Sequence, residues 1–192
     1  MHYDKITKIL HWLIASTILM QLLSETFMKR PKPGRIRSED QELFFEVHEW
    51  FGVIVLVLVL LRFVFIMDRE EWSKLFPWIT AEGRRGIISE LKEVPGWLIG
   101  KLRDAGEQDY IAKTVHGLGL LLALALGISG TVLFVGMNPD GSMDDVVHFF
   151  KETHELLGEL LWYYVIGHVA MALLHQLMGH RSLQRIFSFK DQ

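Results

Sequence analysis

Residues 154–179 read HELLGELLWYYVIGHVAMALLHQLMG. The run exceeds the roughly 20 apolar residues that a helix needs to cross hydrocarbon, and it carries His154, His168 and His175. At about 100° and 1.5 Å per residue, a helix puts His154 and His168 on nearly one face and about 21 Å apart along its axis. Imidazole in hydrocarbon is costly unless paired or ligated, so these side chains are functional candidates by default. One helix presents a ligand near each membrane surface.

Outward from this stretch, three more apolar runs follow the same pattern, and the four spans are expected at about 6–28, 43–67, 111–136 and 153–179. The first is too long for a signal peptide and lacks a small-residue cleavage site. The expected fold is an all-α membrane protein: a four-transmembrane-helix bundle forming one domain over residues 1–192. KRPKPGRIRSEDQE at 29–42 has a loop composition, as does MNPDGSMDDVVHFFKET at 137–153. The long polar segment from Asp68 to Tyr110 contains weakly amphipathic pieces with Trp72, Trp78 and Trp97 spaced along it, and is expected to form short helices on the membrane surface.

Half of the 192 residues are apolar and the formal charge is −3. The basic residues lie in loops between spans rather than along one face, which argues against nucleic acid as a partner. With no cysteine, the chain has no disulfide, no thiolate ligand and no covalent CxxCH haem attachment. Histidine and methionine are the ligands left to hold a haem.

Excluding Arg62 inside the second span, thirteen Lys and Arg lie on the side of the termini and six on the other. The positive-inside rule then puts both termini in the cytoplasm, although Lys29, Arg30, Lys32, Arg35 and Arg37 all fall in the first outer loop. With that topology His48 and His154 open helices that start outside, whereas His11 and His168 lie toward the inner face. Two levels, each with two histidines, are the arrangement that bis-histidine coordination of a b-type haem requires.

A porphyrin needs clearance one helical turn from its ligand. HExxG recurs as HEWFG at His48 and HELLG at His154, with Gly52 and Gly158 four residues on, and Ala15 and Ala172 follow His11 and His168 at the same offset. His116 has Leu120 there and fails, whereas His175 has Gly179 and passes. By depth alone His175 competes with His168 as the partner of His11. His116 reads as a polar neighbour of a haem propionate or a quinone, and His2, His148 and His180 lie outside the spans as surface residues. The HE dipeptides lack a second histidine four residues on, so a zinc-protease reading fails. Arg62, fourteen residues past His48 on nearly the same face, can snorkel to the inner surface. Trp162, Tyr163 and Tyr164 sit mid-helix as packing around cofactors.

The chain resembles the prokaryotic cytochrome b561 family, itself similar to the cytochrome b subunits of nickel–iron hydrogenases. The carrying residues are ILHWLIA in the first span, VHEWFGVIVLVLVLLRFVF in the second, THELLGELLWYYVIGHVAMALLH in the fourth, and the tail RSLQRIFSF. The resemblance implies two non-covalent haems b, one on His11 and His168 and one on His48 and His154, and it favours His168 over His175. It also suggests that Arg62 pairs with an inner-haem propionate, the alternative to snorkelling. The long segment between the second and third spans departs from the shortest members. From this follows an expectation of electron transfer across the bacterial cytoplasmic membrane, between a quinone at His116, His175 and Gln176 and an outer periplasmic cytochrome, redox enzyme or small anion such as superoxide. A membrane anchor subunit of a hydrogenase-like or other periplasmic enzyme and a haem-free helical scaffold are the competing readings.

Overall fold

The computed structural model describes residues 4–66, 69–97, 109–180, 183 and 186. Among them there are seven α-helices and no strand: α1 (Lys5–Phe27), α2 (Glu39–Phe65), α3 (Arg69–Leu75), α4 (Ala81–Leu91), α5 (Val94–Trp97), α6 (Tyr110–Gly136) and α7 (Asp145–Leu177), with a 3₁₀ turn at Pro77–Ile79. Helices α1, α2, α6 and α7 have the length and composition to cross a membrane, and only 6% to 22% of their most apolar windows is buried within the protein. Side chains such as Val64, Val135 and Leu177 are 60%, 80% and 85% exposed. Apolar surface on this scale opposes solution in water at about 25 cal/mol per Å², and hydrocarbon is the solvent it fits. His2 and most of the RSLQRIFSF tail lie outside the described residues.

Each long helix opens on a polar side chain that occupies its first free N–H groups. Asp4 accepts from the Thr7 N–H at 2.6 Å, Asp109 from Ala112 at 3.0 Å, and Asp144 from Val147 at 2.8 Å. Ser38 and Gln41 form a reciprocal capping box at 3.4 Å in each direction. Two of these caps open their helices ahead of the expected spans, within residues whose composition reads as loop. Helix α2 begins at Glu39, not 43, with Glu39, Asp40 and Glu42 in its first turn, where the helix dipole favours acidic side chains. Helix α7 begins at Asp145, eight residues before the expected start and about two turns longer. Polar composition had read as loop where a cap makes helix.

The chain divides into two compact units. The four-segment unit comprises Leu10–Leu61 and Leu121–Tyr163. Its buried side chains include Leu22, Val55, Val59, Ala123 and Leu161, together with the hydroxyls of Ser24 and Ser129. Its two loops meet at Gly141, whose φ of +82° suits glycine and whose missing side chain leaves room for the Pro31 carbonyl.

The short-helix unit comprises Met1–Ile9, Arg62–Leu120 and Tyr164–Gln192. Phe63, Trp72, Phe76 and Trp78 form a chain of ring contacts 5.0 to 6.2 Å between centroids. Trp72 and Trp78, in the segment expected to form short helices on the membrane surface, pack against neighbouring rings. Helix α4 is locked to α6 by one carboxylate: Glu90 accepts from the N–H of Tyr110 at 2.9 Å and of Ile111 at 2.8 Å. With Asp109 on Ala112 and the Lys113 N–H bonded to the Asp109 carbonyl at 3.1 Å, all four opening N–H groups of α6 have partners. Gly86 leaves room for the Tyr110 ring, which any side chain there would overlap.

Candidate functional site: a paired-histidine cavity

Within the four-segment unit, a cavity of about 340 Å³ is lined by His48 and His154, and by Gly52, Gly130 and Gly158. That volume falls in the range of small-molecule and cofactor sites. The imidazoles stand 6.2 Å apart between centroids with planes at 83°.

The hydrogen bonds behind each ring set its tautomer. Nδ1 of His48 lies 3.3 Å from the Gln21 carbonyl oxygen and 3.3 Å from the Ser24 hydroxyl. A carbonyl can only accept, so Nδ1 carries the proton. The Ser24 hydroxyl donates to the same carbonyl at 2.9 Å, and the Gln21 side-chain amide donates to the His48 carbonyl at 2.6 Å. On the other side, Ser129 donates to the Ala125 carbonyl at 2.8 Å, leaving its oxygen to accept from His154 Nδ1 at 2.9 Å. Both sets of contacts suit an imidazole that keeps Nδ1–H and leaves the lone pair on Nε2, the form in which a histidine ligates a metal while oriented from behind. Two imidazoles are few for a bare ion, but His48 and His154 would suit a metal that arrives in a macrocycle, which would supply a redox couple there.

The glycines fit a flat group. A Cβ at Gly158 would meet nothing within 4 Å, and one at Gly52 only the Gln21 amide nitrogen at 3.4 Å. Gly130 differs: a Cβ there would come within 3.0 Å of His154 Cε1, so its smallness serves the ring. At the cavity wall Glu155 pairs with Arg30 and, at 3.2 Å, with Lys151. The indole of Trp162 donates to Glu25 at 3.5 Å.

In the short-helix unit, His168 is stacked on Tyr164 at 5.6 Å and 15° and meets His116 edge-on at 5.2 Å. Gly119 makes room for the Tyr164 phenol. Tyr163 is 75% exposed, so of the mid-helix aromatic trio only Trp162 and Tyr164 face the candidate residues. His175 and His180 bring their Nδ1 atoms to 3.0 Å. Their meeting follows from the helix end: Gly179, at φ +84°, donates to Gln176, and His180 donates to the His175 carbonyl, the Schellman pattern that folds the second residue past the cap onto the last turn. His180, expected outside the spans as a surface residue, lies beyond the end of α7 and meets His175. The amide oxygen of Gln176 is buried without a hydrogen-bond partner. His11 is half-buried on α1, and Arg62 half-buried near the end of α2.

Sequence reading missed Gln21, Ser24 and Ser129. Gln21 and Ser129 stand as polar side chains between apolar neighbours or glycine, whereas Ser24 opens the polar triplet Ser24-Glu25-Thr26 and gives no such signal.

A family model described as prokaryotic cytochrome b561 matches residues 2–189. No curated protein and no solved structure matches the chain.

Proposed function

The chain belongs to the prokaryotic cytochrome b561 family, whose members are haem b electron carriers of the membrane, and on that premise we propose that it moves electrons across the bacterial cytoplasmic membrane, between the quinone pool and a redox partner at the outer face. Two b-type haems are assigned, one to His48 and His154 and one to His11 and His168. The first pair is supported by the shared cavity, the 6.2 Å spacing and the Nδ1-protonated state of both rings. The second rests on the order of the spans and the family spacing. A b-type haem, when bound, supplies a one-electron couple, while the chain supplies orientation and a low-dielectric setting.

Both termini are assigned to the cytoplasm by the distribution of Lys and Arg, which puts His48 and His154 toward the outer face. For the quinone, the buried and unpartnered oxygen of Gln176 suits a hydroxyl donor, with His175 beside it in sequence and His116 against His168. At the outer face a cleft of about 270 Å³ is lined by Lys32, Arg35 and Arg37 and by Glu42 and Asp140, with Arg37 paired to Glu42; the remaining positive charge favours an acidic redox protein or a small anion such as superoxide as the partner. An anchor subunit serving a periplasmic enzyme would use the same surface and would co-purify with that enzyme.

The test is a dithionite-reduced minus air-oxidised spectrum of the detergent-purified chain, with pyridine haemochrome quantitation. About two haems b per chain are expected, falling to about one in either His154→Ala or His168→Ala. A colourless protein overturns the reading, and two haems that survive His168→Ala transfer the second pair to His175.

A further inference from the structure

Arg30 follows the end of α1, and Lys151 lies one helical turn before His154 on α7. Both reach the carboxylate of Glu155, Lys151 at 3.2 Å, and all three side chains line the cavity of His48 and His154. Two cations on one carboxylate leave an excess positive charge at this spot. The other charged residues lining the cavity, Glu25, Glu49 and Glu159, are acidic. A ligand bearing two carboxylates is repelled by the rest of the wall and finds cations only here.

We propose that Arg30 and Lys151 bind the two propionate groups of the haem held by His48 and His154, with Glu155 as their ion-pair partner when no propionate is bound. The inference rests on the haem reading above and deepens it: the cations fix which edge of the macrocycle faces Arg30 and Lys151, a choice that two axial imidazoles leave open. Arg30 and Lys151 are positioning residues here, since neither touches the metal. Arg30 offers a planar fork suited to a carboxylate, and Lys151 a point charge.

The test uses the full-length chain in detergent and follows transfer of its haems to excess apomyoglobin, for wild type, R30Q/K151Q and E155Q, each loaded with haem b or with its dimethyl ester. Losing charge-assisted hydrogen bonds to both propionates is expected to weaken retention of the His48–His154 haem by roughly tenfold or more. The other haem stays in place and reports that the fold is intact. Wild type should hold the dimethyl ester about as weakly as R30Q/K151Q holds haem b, and raised salt should narrow the gap. In a redox titration R30Q/K151Q should lower the midpoint of this haem, since a nearby cation favours the ferrous state, and E155Q should raise it. Equal retention of haem b by wild type and R30Q/K151Q overturns the inference. So does equal retention of haem b and its ester by wild type, which decides the matter should the double variant lose both haems by misfolding. A wild-type chain without haem overturns the electron-transfer reading and this inference together, whereas two haems with no discrimination against the ester overturn the inference alone.

Discussion

Nδ1 of His154 donates to the hydroxyl of Ser129 at 2.9 Å, and that hydroxyl is itself committed as a donor to the Ala125 carbonyl. The imidazole is thus oriented by a residue on another helix, and on the proposed reading it would serve as a neutral ligand. Such outer partners raise ligand basicity, and removing one costs about 10- to 100-fold in metal affinity. Ser129→Ala should therefore speed loss of the His48–His154 haem and raise its midpoint potential, as the weakened donor stabilises ferric iron less. Ser24→Ala should do less, because the Gln21 carbonyl still accepts from His48. A redox titration of both variants settles the order, and an unmoved midpoint in Ser129→Ala sinks the argument.

Gly158 faces open space in the protein. If that space is the clearance of a macrocycle, Gly158→Leu should leave the helices folded and inserted, while haem content drops from about two to about one per chain. A haemochrome assay that still finds two would show the clearance to be incidental.

Glu90 holds two opening N–H groups of α6. Glu90→Ala leaves them unsatisfied and should cost about 1–3 kcal/mol. Asp109→Ala, losing one cap, should cost about 1 kcal/mol. Thermal unfolding in detergent by circular dichroism measures both, and Asp109→Ala as the worse variant would contradict the ranking.

Gly141 combines φ +82° with close approach to the Pro31 carbonyl. Gly141→Ala must strain the backbone or push the two loops apart, at about 1–3 kcal/mol. Faster limited proteolysis within residues 137–144 is the expected sign, with the histidine cavity intact by spectrum.

The Asp140 carboxyl is held below its ordinary pKa by the Ser142 N–H at 2.9 Å, then by the Ser142 hydroxyl at 2.7 Å. A depressed folded-state pKa stabilises the turn fully above the unfolded value, and that contribution fades as pH falls through the folded one. Proteolysis of this loop should accelerate in acid for wild type and be less sensitive to acid in Asp140→Asn. Parallel profiles would assign the effect elsewhere.

The four spans were legible because hydrocarbon demands about 20 apolar residues for a crossing helix, a condition visible in composition. Their starts were less so. Ser38 and Asp144 are indistinguishable by composition from the loop residues around them, and only the bonds to Gln41 and Val147 make them caps. The end of α7 was readable, since Gly179 closes a Schellman turn; that the same turn sets His180 on His175 was not.

The chain order alone puts His48 with His154 at one depth, because both open helices that start on the same side, and HExxG marks Gly52 and Gly158 as small neighbours. Rotation of each helix about its axis is a different quantity. A membrane helix that is apolar on most sides carries no stripe to announce which face turns inward. The partners of His48 and His154, at Gln21, Ser24 and Ser129, and the pairing of Arg30 with Glu155 join residues on different segments of the chain. Packing chose those faces, and with them the tautomers on which the chemistry of the cavity depends.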